Sequence, residues 1–224
     1  MTYRIIRCLD KADWLERRKA VVTSTEISAL FGCNPYLTAA QLWAQKKSLI
    51  FPERRVSPAM QAGLDLEASI AQRVARAKGW DAKPFPTWMF AQRDDYRAGS
   101  SFDWAVKDQW GVCPLEVKKI HWGAMGKYWR CEGNRVTQTS DYVKLQLQYQ
   151  MWICGFPRIK LAVLCGEGWY LWGEFLPDPF IQRQFEDKLT AFWASQAKGI
   201  PPEGATRTRV WRLYLAQKTA QKVA

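Results

Sequence analysis

The sequence predicts an α/β protein in which a central mixed β-sheet is flanked by helices. Three features predict this class: capped helical segments in the first third, period-two alternation in the middle, and a helix–strand–strand–helix order at the end. The chain has 224 residues, of which 48% are hydrophobic and 24% are charged. This length and composition suit one well-cored domain. We therefore expect a single domain over residues 1–224, with a basic tail at about 203–224.

Three helices are predicted in the first third, and two of them have signals at their ends. The stretch "TSTEISALFG" has the capping-box spacing from Thr23 to Glu26. In the longest helix, Ser57 is the predicted N-cap and Gly79 the predicted terminator. The three predicted ranges are 23–32, 38–47 and 57–79.

Alternating apolar and polar residues in the middle of the chain predict strands, with a turn at 108–111. The predicted strand segments there are 84–91, 96–108 and 111–119. After an aromatic and Gly-rich loop, we expect a helix at about 139–154, strands near 158–165 and 168–175, and a helix at about 178–198.

The net charge is +12, and thirteen tryptophans are present. Such a basic excess favours a polyanionic partner, which in a soluble cytoplasmic protein usually means nucleic acid. A membrane surface is the second choice, because the cations are spread along the chain. We expect most tryptophans in the core or a subunit interface and a few stacked on bases or sugars.

The start of the chain carries charges where a signal peptide needs an apolar run, and no stretch is apolar enough for a membrane span. A cytoplasmic protein is therefore expected. The six cysteines form no CxxC pair, which favours reduced thiols over disulfides, zinc or iron–sulfur clusters. With His121 as the single histidine, any metal site must use oxygen ligands, which suit magnesium, manganese or calcium.

A hairpin with residues 109–110 at its tip brings acids together. Directly opposed residue numbers then sum to 219, so that Asp103 lies opposite Glu116 and shares a face with it and with Lys118. A bulge at Pro114 would shift this register by one and separate the acids. The other face would carry Phe102, Trp104, Leu115 and Val117.

Two predicted helices add polar groups to inward-facing positions. Glu67 lies in the apolar stripe of the long helix, and an acid there needs a partner or a metal. Gln146 occupies a similar place in the later helix. The stripe residues around Glu67 are Met60, Leu64, Ala71 and Val74.

Three converging carboxylates, from Glu67, Asp103 and Glu116, repel one another unless a cation joins them. A divalent ion with oxygen ligands resolves that conflict, and Lys118 beside it would orient or deprotonate an attacking water. The alternative is a solvated hairpin face and one surface acid. The motif E-x-K alone favours that alternative, whereas the acids in register favour the metal site.

Four ordered stretches carry a family resemblance: "RRKAVVTSTEISALFGCNPY", "GLDLE", "SSFDWAV…PLEVKK" and "LQLQYQMW". The third is similar to the PD-(D/E)xK nuclease signature. Together, over about residues 14–198, the four resemble the phage lambda exonuclease (YqaJ-type viral recombinase) family. One departure is Phe102, where that family usually has proline.

The resemblance implies a restriction-endonuclease-like core and a 5′-to-3′ exonuclease on linear duplex DNA. It implies dependence on one or two magnesium ions per site, with manganese as a substitute. It further implies a ring-shaped homotrimer and a single-strand annealing protein as partner. By motif position, the metal ligands would be Asp103, Glu116, the carbonyl of Val117 and Glu67, while Lys118 would serve the attacking water and Gln146 would assist.

The resemblance also implies a pocket for the 5′-terminal phosphate, formed by Arg18, Thr25 and Ser101. The start of the predicted helix at 23–32 supports such a pocket, because helix N-termini bind phosphate. Alternatively, the hydroxyls of that segment merely cap the helix.

Two basic segments and two other functions stay open. Residues 118–130 suit a DNA channel or a subunit contact, and the tail suits docking on a protein or contact with a strand. A structure- or site-specific endonuclease on the same core is one alternative function. A non-catalytic DNA-binding protein is the other, and it explains the charge but leaves the acids without a role.

Overall fold

The computed structural model describes residues 3–48, 57–204 and Arg212. Its strands are β1 (Arg4–Arg7), β2 (Val22–Thr23), β3 (Asp81–Pro84), β4 (Met89–Arg93), β5 (Ala98–Ser100), β6 (Trp104–Asp108), β7 (Gly111–Ile120), β8 (Arg130–Glu132), β9 (Arg135–Gln138), β10 (Ile159–Cys165) and β11 (Trp169–Phe175). Its α-helices are α1 (Lys11–Ala20), α2 (Ile27–Leu30), α3 (Ala39–Ser48), α4 (Pro58–Lys78), α5 (Asp141–Cys154) and α6 (Pro179–Lys198). The predicted basic tail lies outside the described residues except for Glu203, Gly204 and Arg212.

The main sheet is mixed, as predicted. Its strand order is β3-β6-β7-β10-β11-β9-β8, and β7 pairs antiparallel with β6 but parallel with β10. The crossover between these parallel strands contains α5, which packs on the sheet and buries eleven of its residues. The long helix α4 covers the opposite face through Ile70, Ala71 and Val74. The sheet is thus covered on both faces, which is the arrangement expected of an α/β core.

A second, four-stranded sheet of order β1-β4-β5-β2 was not predicted. The expectation of an all-helical first third was therefore wrong, and so was the single strand over 96–108. That stretch divides into β5 and β6, and β5 joins the second sheet. Gly99 permits this contact, because a Cβ atom there would meet the Phe90 ring at 2.3 Å. Strands of two to four residues carry too little alternation to be recognised locally.

The helix predicted over 23–32 was also wrong. Thr23 belongs to β2, and the helical part is only α2, four residues long. The capping-box contact nevertheless exists, since the Thr23 N–H donates to Glu26 Oε2 over 2.9 Å. Helix α1 was missed, although Asp10 caps it by accepting from the Asp13 N–H at 2.9 Å. The sequence therefore predicted the capping contact correctly but not the length of the helix that follows it.

The ends of the longest helix follow the prediction. Ser57 Oγ accepts from the Met60 N–H at 3.2 Å, and Gly79 ends the helix in a left-handed conformation with φ of 67°. The predicted buried stripe is only half correct. Ala71 and Val74 are buried, but Met60 and Leu64 are 50% and 61% exposed, because the first turns of α4 extend past the sheet.

None of the helices in the described ranges is long and apolar enough to cross a membrane. The core is rich in aromatic residues, and Trp43, Tyr149 and Trp152 are among its largest fully buried side chains. Other tryptophans, Trp110 and Trp122, are mostly exposed. Of the twelve tryptophans in the described ranges, four are buried and six are partly exposed, and their expected contacts with other subunits or with bases stay predictions.

A buried ionic network fastens the turn end of the β6–β7 hairpin. Asp108 accepts from Arg158 Nη2 at 2.6 Å and from Lys160 Nζ at 2.7 Å, and Lys160 also pairs with Glu174 at 2.7 Å. Burial alone would raise the pKa of Asp108, but its hydrogen bond to Lys160 and the backbone N–H of Trp110 lower it. The carboxylate therefore stabilises the fold at neutral pH, and this contribution is lost as pH falls through the folded-state pKa.

Asp108→Ala is expected to lower the free energy of unfolding by about 3 kcal/mol, because two largely buried cations lose a counter-charge. Chemical denaturation at neutral pH measures the change. Asp81→Ala is the control, since Asp81 pairs with Lys83 at the surface over 3.7 Å, and exposed pairs contribute little. Equal losses in the two variants would contradict the role of the network.

Candidate active site

Glu116 is the centre of the candidate site. It lies on β7, its residue is 2% exposed, and its side chain points away from the apolar face that contains Leu115 and Val117. Lys118, two residues along the same strand, contacts Glu116 Oε1 through its ammonium group. The expected pairing of acid and cation on one strand face is therefore present, and the acid is buried rather than solvated.

Helix α5 supplies two amides to the same carboxylate. Gln146 Nε2 donates to Glu116 Oε1 at 2.5 Å, and Gln150 Nε2 donates to Glu116 Oε2 at 2.7 Å. The prediction placed Gln146 at the site and missed Gln150. The signal was present in the sequence, since residues four apart share one face of a helix. Gln148 lies on another face and instead accepts from the Asp178 N–H at 2.8 Å.

The hairpin register agrees with the prediction. Trp104 pairs with Leu115 and Asp108 with Gly111, so opposed numbers sum to 219 along the whole of β6. Pro114 pairs with Ala105 in that register and causes no shift. Asp103 directly precedes β6, which places it at the level of Glu116.

Asp103 accepts a hydrogen bond from the Val117 N–H at 3.0 Å. This contact ties the acid to the strand that carries Glu116 and Lys118. The structure thus shows the amide of Val117 engaged with the site, while the predicted use of its carbonyl as a metal ligand stays a prediction.

Glu67 approaches from helix α4 on the other side of β7. It is half-buried and accepts from the Trp104 indole N–H at 3.2 Å. Trp104 itself packs in the cluster beneath α4. Glu67 therefore has a neutral hydrogen-bond partner on one carboxylate oxygen, and its second oxygen can accept from a further partner. Its role as an outer acidic ligand stays a prediction.

The electrostatics of the site favour an additional positive charge. Burial and the neighbouring Glu116 carboxylate raise the pKa of Asp103 well above its usual range. Burial, with a smaller contribution from Glu116, also raises the pKa of Glu67. Burial opposes the charge of Lys118, but Glu116 and Asp103 outweigh it and raise the lysine pKa. One lysine does not satisfy three acids in so small a volume.

The oxygen atoms present fit a hard divalent cation. Gln146 Oε1 and Gln150 Oε1 are buried without a hydrogen-bond partner, beside the Glu116 carboxylate. Buried acceptors of this kind normally have a partner, and carboxylate and amide oxygens are the ligands that magnesium and calcium take. The side chains in the described ranges do not by themselves form a closed cluster of three or more acidic, cysteine or histidine ligands. A cation here would therefore depend on Asp103 and Glu116 together with neutral oxygens.

Of the three residues predicted to bind a 5′-phosphate, Arg18 and Ser101 both contact Trp14. The Arg18 guanidinium stacks 4.4 Å from the Trp14 ring, and the Trp14 indole N–H donates to Ser101 Oγ at 2.8 Å. Thr25 belongs to the turn before α2, where its hydroxyl lies 3.3 Å from that of Thr23. The expected support from a helix N-terminus was wrong, because α2 has only a single turn. The predicted phosphate pocket therefore depends on Arg18 and the two hydroxyl groups.

This group adjoins the candidate active site. Gln150 Nε2, which donates to Glu116, also reaches the Ser101 carbonyl at 3.4 Å. On the other side, Ser100 Oγ donates to Ser24 Oγ at 2.9 Å and so links β5 to the turn that holds Thr25. A strand end bound at Arg18 would therefore lie beside the acids.

The basic segment 118–130 runs from the last residues of β7 to the start of β8. Trp122 is 52% exposed and stacks on Trp169 with ring centres 5.4 Å apart. His121 accepts from the Gly123 N–H at 3.0 Å and so caps a short 3-10 helix, which is a structural role. The exposed aromatic and basic residues suit DNA or a subunit contact, and both uses stay open.

The sequence and the fold of this chain are similar to those of known proteins. The model of the YqaJ-like viral recombinase domain matches residues 13–157. No curated protein matches the sequence significantly. The fold is similar to that of an alkaline exonuclease from Laribacter hongkongensis, at 18% identity over 96% of this chain and all of that chain, with a TM-score of 0.61. The complex of that enzyme with dAMP gives a TM-score of 0.62 at the same identity and coverage.

A phage-related exonuclease from Haemophilus somnus 129PT is similar over 80% of this chain and 95% of its own, at 11% identity and a TM-score of 0.52. Identities this low show a shared fold, and that fold is the predicted restriction-endonuclease-like core with its mixed sheet between helices. The family match covers all four motifs up to the glutamine-rich stretch of α5. On this evidence the chain belongs to the YqaJ-like viral recombinase domain family.

Proposed function

We propose that this protein is a magnesium-dependent 5′-to-3′ exonuclease that degrades one strand of linear duplex DNA. The observation that carries the proposal is the Glu116 carboxylate, buried and held by Lys118, Gln146 and Gln150, with Asp103 tied to the next residue of the same strand. Family membership and the fold shared with exonucleases support a nuclease role.

The proposed role of each residue follows from the atoms that its side chain offers to a metal ion, a water or the phosphate. Asp103 and Glu116, with Glu67 as an outer acid and the Val117 carbonyl, would hold the divalent ion, which supplies stabilisation of charge on the phosphodiester and a more acidic water. Lys118 orients the attacking water and donates to the charge that develops on the phosphate. Gln146 and Gln150 keep the Glu116 carboxylate in place. Manganese would suit the same oxygen ligands.

The product would be a 3′ single strand for a single-strand annealing partner, so the proposed role is phage-type recombination in the bacterial cytoplasm. We also propose that three copies close into a ring around DNA. The exposed apolar side chains Met60 and Leu64, with Trp122 elsewhere on the surface, provide area for contacts between subunits. A closed ring prevents loss of the enzyme between cleavage steps.

The decisive assay uses linear duplexes labelled at the 5′ or the 3′ end, with magnesium or with a chelator, beside covalently closed circles. Early release of the 5′ label, only with magnesium and only from linear DNA, is the expected result. Cleavage of circles would indicate an endonuclease instead. Binding without any cleavage under these conditions would indicate the non-catalytic alternative.

A 5′-phosphorylated duplex is expected to be digested at least about tenfold faster than a 5′-hydroxyl duplex, because charge-assisted hydrogen bonds to the dianionic end are strong. Arg18→Ala should remove most of that preference. Arg17→Ala is the matched control, since the neighbouring guanidinium pairs with Asp13 at 3.1 Å. Initial rates on the two substrates measure the ratio, and a wild-type ratio near one would remove Arg18, Thr25 and Ser101 from the account.

The proposed ring predicts a solution mass about three times that of one 25.9 kDa chain. Light scattering at micromolar protein and moderate salt measures it. Leu64→Glu should shift the mass toward one chain if α4 contributes to the contact, because a charge in an apolar interface is costly. A wild-type mass near that of a single chain would contradict the ring.

A further inference from the structure

A polar groove lies between α4 and β11, on the sheet face opposite to the side chains of Glu116 and Lys118. It has a volume of about 340 Å³ and is lined by Ser69, Gln72, Arg73, Arg76 and Tyr170. No acid is among these lining residues, and each carries a side-chain donor. Two guanidinium groups with hydroxyl and amide donors match the oxygen atoms of a phosphate group.

The cations at this groove are held by aromatic rings of β11. The Arg73 guanidinium lies 4.5 Å from the Tyr170 ring centre. Beyond the groove, Lys78 Nζ lies 3.7 Å from the Trp172 ring centre, and Arg135 lies 5.7 Å from the same ring. Cation–π contact orients a cation while leaving its charge in place. Four cations therefore form a basic strip that runs from α4 past the Trp172 ring of β11 to β9: Arg73, Arg76, Lys78 and Arg135.

The strip begins close to the site. In the main sheet Lys119 pairs with Leu164, and Leu164 pairs with Tyr170. Tyr170 is thus two strands, or about 10 Å, from Lys119, whose side chain lies on the sheet face opposite to that of Lys118. Arg73 also follows Glu67 by six residues of the same helix, about 9 Å along its axis. At about 3.4 Å per nucleotide, this distance corresponds to about three nucleotides of a strand.

We propose that the groove of Arg73 and Arg76 binds backbone phosphates of the DNA, about three nucleotides from the bond that is cut. The proposal rests on the proposed function for its substrate and adds a second, non-catalytic contact to it. The other two cations of the strip, Lys78 and Arg135, would contact the next phosphates of the same DNA backbone. The strand is recognised by its phosphodiester charge, which both the duplex ahead of the site and the single strand behind it possess.

The test compares Arg73→Gln/Arg76→Gln with a matched control, both made with Lys118→Ala so that binding is measured without cleavage. Arg183→Gln/Lys188→Gln is the control on α6. There, Arg183 contacts the carbonyl four residues earlier at 3.4 Å, as Arg76 does, and Lys188 lies 5.4 Å from the Phe31 ring. Both pairs remove two charges from an exposed helix face.

Affinity for a 20-nucleotide single strand and a 20-base-pair duplex is measured over a series of salt concentrations. Losing two phosphate contacts should lower the slope of log K against log salt by about 1.4 for the single strand or about 1.8 for the duplex. The substrate whose slope falls identifies the strand that occupies the groove. Slopes for both substrates that match those of the α6 control would overturn the proposal.

Arg73→Lys/Arg76→Lys separates charge from folding, because it keeps both cations and should keep most of the slope. A loss of slope in this variant equal to that of the glutamine variant would show a structural defect and overturn the assignment. The binding result is independent of catalysis. If the wild type cut no DNA at all, the proposed exonuclease activity would fail while the slopes still decided whether the groove binds phosphate.

Discussion

Lys118→Ala is expected to lower the rate of DNA cleavage by at least about a hundredfold while leaving DNA affinity nearly unchanged. The ammonium group of Lys118 contacts the buried Glu116, and although burial opposes its charge, Glu116 and Asp103 raise the pKa of the lysine. A positioned group of this kind contributes about 10²–10⁴ to a rate. Affinity depends on many phosphate contacts, so the loss of one lysine among them changes it little.

Single-turnover cleavage of a linear duplex, with binding measured separately, checks this expectation. Lys119→Ala is the control, because Lys119 is the next residue of β7, is exposed and points to the other face. Its rate should stay close to that of the wild type. Cleavage by Lys118→Ala within about tenfold of the wild type, a difference of roughly 1.4 kcal/mol in barrier, would sink the catalytic assignment.

Glu116→Gln is expected to abolish the rise in melting temperature that magnesium produces in the wild type. An ion bound only to the folded state stabilises it by about 2.7 kcal/mol at a concentration of one hundred times Kd. Glutamine has nearly the same shape as glutamate but lacks the negative charge that a divalent ion requires. Asp103→Asn should have the same effect, since the two acids are proposed to hold one ion.

Thermal melts with and without magnesium or manganese measure this effect without reference to activity. Glu174→Gln is the control, because Glu174 pairs with Lys160 in the network at the far end of the hairpin. It should keep the full metal-dependent rise while losing some stability in both conditions. A rise in Glu116→Gln as large as that of the wild type would exclude Glu116 as a ligand.

The β6–β7 hairpin shows how much of the structure a short stretch of sequence predicts. The turn at 108–111, the sum of 219 for opposed residues and the absence of a shift at Pro114 all follow from one short segment. Helix α4 is similar, since its cap at Ser57 and its end at Gly79 each depend on a few neighbouring residues. Such elements were predicted correctly because the interactions that define them join neighbours in the chain.

Gln150 is a residue of the site whose role the sequence did not predict. It donates to Glu116 across 34 positions of the chain, and its spacing from Gln146 indicates only that the two share a helix face. Whether that face meets β7 depends on the crossover through α5, which no local pattern contains. The bond from Trp104 to Glu67 is another contact of this kind, between residues 37 positions apart.

By itself, the sequence determined the α/β class, the hairpin that aligns Asp103 with Glu116 and Lys118, and the family motifs around them. Only the tertiary structure decided that Thr23 pairs with Gly99 in a second sheet, that Met60 and Leu64 remain exposed, and that two glutamines hold the buried acid. The physical reason is the range of the interactions. Capping, turns and alternation act over a few residues, whereas short strands, burial and buried polar partners depend on segments that meet only when the chain has folded.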